Sequence, residues 1–245
     1  MKQRANYGID APGAVRVNIV LGIVMALIAL IGFAWPEPNP IPFFVTIGAT
    51  AFAALFCFGT VVMLRSSLVL KQRVRDRLLT ELTFVGNERV LDAGCGLGLA
   101  LIGCAKKLTT GKAIGIDLWA AKDLSNNNPE ATRANAVAEG VADRIEVETG
   151  DITKLPFPDA SFDVVVSMTV IHNIPSREAR DQALRELVRV LKPSGRMAIF
   201  DLLHTPRYTE VLQGAGMKVR SLGYDLMWFL RCHSLLAQKP EAGNP

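Results

Sequence analysis

The most informative segment of this 245-residue chain reads Val90-Leu91-Asp92-Ala93-Gly94-Cys95-Gly96-Leu97-Gly98. It begins with apolar residues typical of a buried strand, passes through three glycines, and continues into a helical pattern that runs to about Lys107. Glycine lets the backbone turn sharply and approach a ligand closely, and a helix N-terminus presents free N–H groups. The order strand, glycine-rich turn and helix is typical of nucleotide-binding α/β proteins, and nicotinamide and flavin enzymes use a related turn.

An acidic residue at the end of the next predicted strand supports this interpretation. Ala113-Ile114-Gly115-Ile116-Asp117 is apolar up to its last residue, which is a carboxylate. A carboxylate at this place in a nucleotide-binding unit can accept hydrogen bonds from the ribose hydroxyls of a cofactor. The alternative is that Asp117 is an acid at an ordinary strand end.

The rest of the domain shows an α/β pattern. Short apolar runs alternate with helical patterns from residue 88 onward, which predicts a parallel sheet. The strands are predicted at 89–93, 113–117, 144–149, 162–167 and 196–203, followed by a closing antiparallel pair at 218–228 and 231–238. Asn128 before Pro129, and Ser176, are typical N-cap residues and predict helices that end near residues 140 and 191. A short helix is expected at 207–214, and a turn at 192–195.

The segment 90–98 closely resembles the first motif of class I S-adenosylmethionine-dependent methyltransferases. Four further segments resemble later motifs of that family in the same order, namely 115–119, 150–159, 161–167 and 191–196. Together they cover roughly residues 88 to 203, and the small-molecule branch that includes quinone, sterol and arsenite methyltransferases is the most similar in appearance. The resemblance implies an α/β fold with a Rossmann-like seven-stranded sheet, and S-adenosylmethionine as the cofactor.

The resemblance implies roles around the methionine part of the cofactor. Gly94 and Gly96, with the backbone of Cys95, would pass along that part of the molecule. Asp92 would order the glycine-rich loop. Ser167, at the end of the fourth strand, would lie near the methionine end.

The resemblance also implies roles around the adenosine. Asp117 would hold the ribose hydroxyls, and Leu118 would pack on the adenine ring. Asp151 would accept a hydrogen bond from the adenine amino group, beside the backbone amide of Ile152.

Two histidines are candidates for a general base. His172 follows the fourth strand, where the family places residues on the acceptor side, and His204 follows the fifth strand. An unperturbed imidazole pKa near ~6.5 suits proton removal at neutral pH. Asp201 could orient either ring. The alternative is that each histidine packs on a wall or holds a loop.

Two apolar runs precede this domain. Residues 15–35 are interrupted only by Arg16 and Asn18, and residues 41–64 carry no charge. Each exceeds the roughly 20 residues that a helix needs to cross a bilayer. The proline-rich segment 36–42 predicts a tight turn between two spans. A cleaved signal peptide and a buried soluble hairpin are the alternatives.

The basic residues around these runs predict their orientation. Lys2, Arg4 and Arg16 lie at the start, the turn has none, and five follow the second run, namely Arg65, Lys71, Arg73, Arg75 and Arg77. Because basic residues favour the cytoplasmic side, both flanks are expected there. The predicted organisation is therefore a tail and transmembrane hairpin at 1–64, a basic juxtamembrane helix at 65–84, and a catalytic domain at 85–245. We expect that helix to lie near anionic headgroups, to cap the catalytic domain, or both.

Charge and composition restrict the classes of partner that we expect for this chain. A net charge of +4 does not indicate nucleic-acid binding, and we expect none. The four cysteines form no CxxC pair and no zinc-ligand spacing with histidine, so no metal site is predicted.

The tail of the domain indicates the class of acceptor. Only a short helix separates the fifth strand from the closing pair, which leaves no inserted acceptor-binding domain. The basic helix, the loop at 119–128 and the membrane must then cover the acceptor, which favours a small hydrophobic acceptor that partitions into the lipid bilayer, such as a quinone, phenol or lipid. Three alternatives stay open: methylation of a small thiol or other small nucleophile, a membrane-tethered cofactor-binding module without catalysis, and a nicotinamide-dependent oxidoreductase.

Overall fold

The computed structural model describes residues 4–35, 41–120 and 124–241 of the chain. The helices among these residues are α1 (Pro12–Ala34), α2 (Phe43–Arg65), α3 (Lys71–Glu81), α4 (Leu99–Ala105), α5 (Pro129–Ala138), α6 (Arg177–Val190) and α7 (Thr205–Gly214). The strands are β1 (Arg89–Ala93), β2 (Lys112–Asp117), β3 (Ile145–Thr149), β4 (Phe162–Met168), β5 (Leu191–Asp201), β6 (Lys218–Met227) and β7 (Leu230–Gln238).

The seven strands form one sheet in the order β3-β2-β1-β4-β5-β7-β6. β1 to β5 are parallel, and β7 is antiparallel to both of its neighbours. The central strands read as near-continuous apolar runs because helices cover both faces of a parallel sheet. The predicted Rossmann-like seven-stranded α/β fold is confirmed. The order of the strands changes direction between β1 and β4, where open α/β sheets bind their ligands.

Strand β5 begins earlier than the sequence predicted. Residues 192–195 were expected as a turn before the strand, yet they lie within β5. The register with β4 shifts there, from Phe162 opposite Leu191 to Val164 opposite Arg196. Ser194 has a φ of 61°, so the segment turns locally without leaving the sheet.

Both predicted helix caps are confirmed. The Asn128 side chain accepts a hydrogen bond from the Ala131 amide at 2.8 Å, and the Ser176 hydroxyl accepts one from the Ala179 amide at 3.0 Å. Each bond satisfies an amide that has no partner within its helix, which defines where α5 and α6 begin.

Helices α1 and α2 pack against each other as an antiparallel pair. Gly32 lies against Thr46, and Gly22 against Phe56 farther along both helices. Small residues let two helix backbones approach closely, as in membrane proteins. Both helices are long and apolar enough to cross a membrane. In the most apolar 18-residue stretch of each helix, only 6% and 11% of the residues are buried. The predicted proline turn falls largely at 36–40, outside the described residues.

The chain does not break after the second apolar run. Helix α2 passes through a π-helical turn, Ser66–Leu70, directly into α3, so that one helix runs from Phe43 to Glu81. The helix predicted over 66–84 is thus continuous with the second apolar run, and α3 ends three residues before the predicted end at 84. The chain stays helical because no proline or glycine lies between Thr60 and Leu82.

Several basic side chains of α3 contact the protein, in line with the expectation that this helix caps the domain. Lys71 is buried, and Arg75 lies over the Tyr7 ring and pairs with Asp76. Arg77 donates to Asp225 on β6 at 3.1 Å. These three cations contact the protein, while the apolar residues of α3 pack against the domain, including Val74, Leu78 and Leu79.

Residues 5–11 cross the domain as a segment that we call the N-terminal strap. The Asn6 amide donates to the Asn135 side chain at 2.8 Å, and the Asn135 amide nitrogen donates to the Asn6 carbonyl at 2.8 Å. Farther along, the Ile9 amide donates to the Ser125 hydroxyl at 2.9 Å. The sequence interpretation grouped these residues with the membrane hairpin as a tail, whereas the structure packs them onto the catalytic domain.

Candidate active site

A cavity of about 780 Å³ lies at the C-terminal ends of β1, β2 and β4. Its volume falls within the range of small-molecule binding sites in proteins. The glycine-rich turn after β1 forms part of the wall, and residues from the strap, the end of α2 and the β6–β7 hairpin form further parts of it. The cavity therefore joins the sheet to the helices that precede the domain.

The glycine-rich loop is held by main-chain hydrogen bonds. The amides of Gly94 and Cys95 donate to the Ile116 carbonyl at 2.8 and 3.1 Å. Gly94 has a φ of +79°, and a β-carbon there would lie 2.3 Å from the Val170 side chain. Only glycine fits this position, since both the backbone conformation and the close neighbour exclude a larger residue. Gly94, Cys95 and Gly96 all line the cavity.

Asp92 lies at the floor of the cavity and is buried. Its carboxylate accepts a hydrogen bond from the Leu101 amide at 2.7 Å, in the first turns of α4. Burial, with the nearby charge of Asp117, raises the pKa of Asp92 to about 7, and the Leu101 amide opposes that shift. The bond ties the strand to the helix on either side of the glycine-rich loop, in keeping with the ordering role expected for Asp92.

Asp117 is the hub of the loops that surround the cavity. One carboxylate oxygen accepts from the Gly96 amide at 2.9 Å, and the other accepts from the Trp119 amide at 2.6 Å. The Asn127 side chain donates to that second oxygen at 3.2 Å. A carboxylate has about four acceptor positions, so Asp117 keeps capacity for a ligand while it orders both loops.

The residues expected near adenine lie together at one rim of the cavity. Leu118, Asp151 and Ile152 all line it. Leu118 is 64% exposed and Ile152 is buried, so the cavity opens to solvent past Leu118. The Asp151 carboxylate accepts from the Thr153 amide at 2.8 Å, which orients it within its turn.

Ser167 does not reach the cavity. Its side chain is buried, and its hydroxyl donates to the Ala93 carbonyl at 2.9 Å, which connects β4 to the end of β1. The structure thus gives Ser167 a role between strands, and the cavity wall is formed by the three residues that follow it, 168–170.

His172 lines the cavity from a 3₁₀ turn, Ile171–Asn173, after β4. Its Nδ1 atom lies 2.5 Å from a carboxylate oxygen of Asp201 at the end of β5. Asp201 is buried and also accepts from the amides of His172 and Leu202 and from the Tyr208 hydroxyl. Burial and Asp201 raise the pKa of Tyr208, so this hydroxyl stays protonated and donates. The carboxylate is fixed, and it fixes the imidazole in turn.

His204 is not brought to this site. It immediately precedes α7 in a left-handed conformation, its side chain is exposed, and it is absent from the cavity lining. Leu202 still lines the cavity, but the chain then turns away, and Leu203 is exposed as well. Position after a strand was the only signal for His204, and that signal did not specify the direction of the turn.

Asn127 is a cavity residue that sequence reasoning missed. Its side-chain oxygen is buried without a hydrogen-bond partner among the described residues, while its nitrogen donates to Asp117. A buried polar atom without a partner beside a cavity is typical of a ligand contact. The sequence signal was the run of asparagines at 126–128, of which only Asn128 was interpreted, as a helix cap.

The strap was also missed as a part of the site. Tyr7, Asp10 and Ala11 line the cavity together with Lys71 of α3. The Lys71 ammonium donates to the carbonyls of Tyr7 at 2.8 Å and Gly8 at 3.1 Å, and it lies 3.2 Å from the Asp10 carboxylate. Lys71 therefore holds the strap against the cavity, a role that its place in a basic cluster did not indicate.

Comparisons with known proteins agree with this geometry. Residues 91–199 match a family model described as a methyltransferase domain. The 27-O-demethylrifamycin SV methyltransferase of Amycolatopsis mediterranei is 33% identical over 70% of this chain and 59% of its own length. The demethylmenaquinone methyltransferase of Lactiplantibacillus plantarum is 34% identical over 52% of this chain and 50% of its own length.

A solved structure shares the fold. The S-adenosylmethionine-dependent methyltransferase from Aquifex aeolicus superposes with a TM-score of 0.54 at 22% identity, covering 67% of this chain and 88% of that one. The chain spans about half to three-fifths of the length of the curated relatives described above. The matched region contains β2 to β4, most of β1 and β5, and the glycine-rich loop, whereas β6, β7, α1 and α2 lie outside the family model.

Proposed function

Because the chain carries a class I S-adenosylmethionine-dependent methyltransferase domain, we propose that it transfers a methyl group from S-adenosylmethionine to a hydrophobic small molecule that resides in a membrane. One observation carries this proposal. A single cavity is lined both by the glycine-rich loop and by Met63 of the apolar helix α2 and Leu230 at the start of β7.

The cavity residues suit this cofactor. Asp92, Asp117 and Asp151 all line the cavity, and their acidic side chains suit a cofactor that carries a positive charge. The loop at 94–96 would contact the methionine part, Asp117 with Asn127 the ribose, and Asp151 the adenine. When bound, S-adenosylmethionine supplies a methyl group on a sulfur atom that is already a good leaving group. The protein then has to hold the methyl group and the acceptor close together and aligned, which can lower the activation free energy by up to ~7–11 kcal/mol.

His172 is suited to remove a proton from the acceptor. When Nδ1 of a neutral imidazole donates to Asp201, Nε2 is the unprotonated nitrogen and can accept a proton. Asp201 would stabilise the imidazolium that forms, since four hydrogen-bond donors hold its carboxylate in place. This arrangement favours an acceptor with an ionisable hydroxyl, such as a phenol, because such a group becomes a stronger nucleophile when it loses its proton.

Helices α1 and α2 support membrane attachment. Their large apolar side chains are mostly exposed, which is unlike core helices of soluble proteins. The basic residues Arg4, Arg16 and Arg65 lie at the same end of the antiparallel pair. We infer two spans with both flanks and the catalytic domain on the cytoplasmic side.

A labelling experiment tests this function. The full-length protein in membranes receives methyl-labelled S-adenosylmethionine, and the label is followed in the organic extract, the headspace and the protein. Label in the organic extract supports a membrane-resident acceptor. Label in the headspace would instead indicate a small volatile nucleophile such as a thiol, and no transfer to any fraction would contradict the enzymatic proposal.

A further inference from the structure

The cavity has rim residues at three places. A residue that lines the cavity and is also exposed marks an edge where the cavity meets its surroundings. Leu118 and Asp151 are such residues beside the polar adenine loop, Ala11 and Leu230 are such residues near the apolar helices, and Asn173 and Pro175 are such residues after β4. The first and third rims belong to loops at the strand ends, while the second lies where the chain enters α1 and leaves α2.

The second rim belongs to the helices. Ala11 immediately precedes α1, and Met63 lies in the last turn of α2. Met63 is almost completely buried and lines the cavity, and the Asn18 side chain of α1 contacts its sulfur at 3.3 Å. The inner wall of this end is therefore built from the last turn of α2 and the residue that precedes α1, and Asn18 of α1 supports Met63 from behind.

The β6–β7 turn reaches along α2 toward the centre of the helix pair. Trp228 and Phe229 form a two-residue turn with φ values of 48° and 64°. The Phe229 ring lies 6.0 Å from the ring of Phe58. Phe58 precedes Arg65 by two helical turns, about 10 Å along the axis. If Arg65 lies at the headgroups, the turn reaches the acyl-chain region.

This turn is apolar where it is exposed, and it is fastened to the helix. Leu226, Phe229 and Leu230 are all exposed. The Trp228 amide donates to Ser66 at 3.1 Å, and its indole nitrogen donates to Ser67 at 3.4 Å. Both serines lie in the π-helical turn, a feature that often occurs at functional sites. The rigid apolar turn thus forms the second wall of the same rim.

We propose that this rim is a lateral portal through which the acceptor enters from the membrane leaflet. The portal is walled by Ala11, Met63, Trp228 and Leu230, and S-adenosylmethionine enters through the separate aqueous rim at Leu118. The inference rests on the proposed function and adds the route and the acceptor class: a molecule with an apolar tail that stays in the leaflet while its hydroxyl reaches His172. The wall residues then determine specificity for lipid-soluble acceptors.

Fluorescence quenching tests the position of the portal without any need for activity. The full-length variant Trp35→Phe/Trp119→Phe retains only Trp228, and it is placed in vesicles of phosphatidylcholine brominated on the acyl chains. We expect at least a twofold loss of Trp228 emission relative to unbrominated vesicles. The matched variant Trp35→Phe/Trp228→Phe retains Trp119, which lies at the aqueous end, and should lose less than a tenth. Equal quenching of both, or of neither, would overturn the portal.

If the double variants fold poorly, the single variant Trp228→Phe gives the same information. Its quenching is subtracted from that of the wild-type protein in the same brominated vesicles. The Trp228→Phe protein should be quenched clearly less than the wild-type protein. Equal quenching of the two proteins would overturn the immersion of Trp228 among the acyl chains.

Substitution of the rim tests the route. Leu230→Arg places a charge at the portal, whereas Leu203→Arg places one at an equally exposed leucine outside the cavity; the two leucines are 45% and 47% exposed. With methyl-labelled cofactor and membranes, we expect Leu230→Arg to lower the label in the organic extract at least tenfold with cofactor affinity unchanged. Leu203→Arg should stay within twofold of wild type. Equal rates for both variants would overturn the route. The absence of label with wild-type protein would contradict the proposed function, and the quenching experiment would then still test the portal.

Discussion

The two ends of the cavity are built in different ways. The cofactor end comes from short segments with local signatures, such as the loop at 94–98 and Asp117, whose partners lie within neighbouring loops. The other end comes from distant parts of the chain, namely Ala11 of the strap, the end of α2 and the β6–β7 hairpin. The first end is thus specified by motifs and the second by packing, which is why the motifs indicate the chemistry and leave the acceptor undefined.

The largest expected effect concerns the cofactor end alone. Asp117→Ala removes hydrogen bonds to Gly96, Trp119 and Asn127 and the predicted ribose contact. Hydrogen bonds to charged groups contribute about 1.5–3 kcal/mol each, so loss of the two predicted bonds to the ribose hydroxyls should weaken cofactor binding by about 10³-fold. Calorimetry with S-adenosylmethionine on the full-length protein measures this. Asp143→Ala, at an exposed surface carboxylate, is the control, and affinity retained by Asp117→Ala would show that the ribose assignment is wrong.

The next largest effect concerns His172 and the chemical step. His172→Ala should lower turnover by about 10²-fold or more while cofactor affinity is unchanged, because a general base contributes to the chemical step. Steady-state rates with methyl-labelled cofactor measure it, and His204→Ala should keep the wild-type rate. A His172→Ala enzyme as fast as wild type would leave this histidine with a structural role.

A third prediction separates the strap from the rest of the domain. Lys71→Met removes the cation that holds Tyr7, Gly8 and Asp10, and the strap should open more often. We expect the free energy of opening the strap to fall by roughly 2 kcal/mol, which is below the range for fully buried pairs because Asp10 is partly exposed. Amide exchange in residues 5–11 should then be about 30-fold faster.

Hydrogen exchange measured by mass spectrometry resolves this segment. Lys192→Met removes a more exposed ion pair with Asp163 on the far side of the sheet and should leave strap exchange unchanged. If Lys71→Met also leaves it unchanged, the strap is held by its contacts with Asn135 and Ser125 alone.

The smallest effect is a pH dependence at the floor of the cofactor end. The pKa of Asp92 is raised to about 7 from an ordinary 3.8, so the folded state binds more protons than the unfolded state between these values. Stability contributed by the protonated form is therefore lost as pH rises, by about 1.4 kcal/mol from pH 6 to pH 8.

Asp92→Asn should remove this decline, since the amide oxygen can still accept from Leu101 and does not ionise. Urea unfolding at both pH values measures the slope. Asp181→Asn is the control, because Arg207 lowers the pKa of Asp181 and its contribution changes only in acid. A decline that is the same in Asp92→Asn and wild type would mean that another group causes it.

The sequence predicted the sheet, both helix caps and the residues at the cofactor end because their signals are local. Three glycines at 94–98, followed by an acid at the end of β2, form a spacing that is typical of nucleotide-binding α/β folds. The strap could not be predicted in the same way, since its partner Asn135 lies 129 residues away and its short polar sequence has no periodicity. A basic cluster likewise does not distinguish Lys71, which is buried against the strap, from cations that face solvent.

The packing of the strap changes how the enzyme should be handled. A fragment that begins at residue 66 would lack Tyr7, Asp10, Ala11 and Met63, and with them one wall of the cavity. Binding and activity are therefore properties to measure on the full-length chain in a bilayer.

The most direct test of the proposed membrane portal is a comparison of two acceptor locations. Full-length protein is placed in nanodiscs that contain a methyl-accepting membrane lipid extract, and the same extract is supplied separately in protein-free nanodiscs, with methyl-labelled S-adenosylmethionine in the buffer. We predict that label accumulates in the extract that shares a bilayer with the protein, at least tenfold faster than in the separate discs. Equal rates in the two populations would contradict the account, because the acceptor would then reach His172 through water.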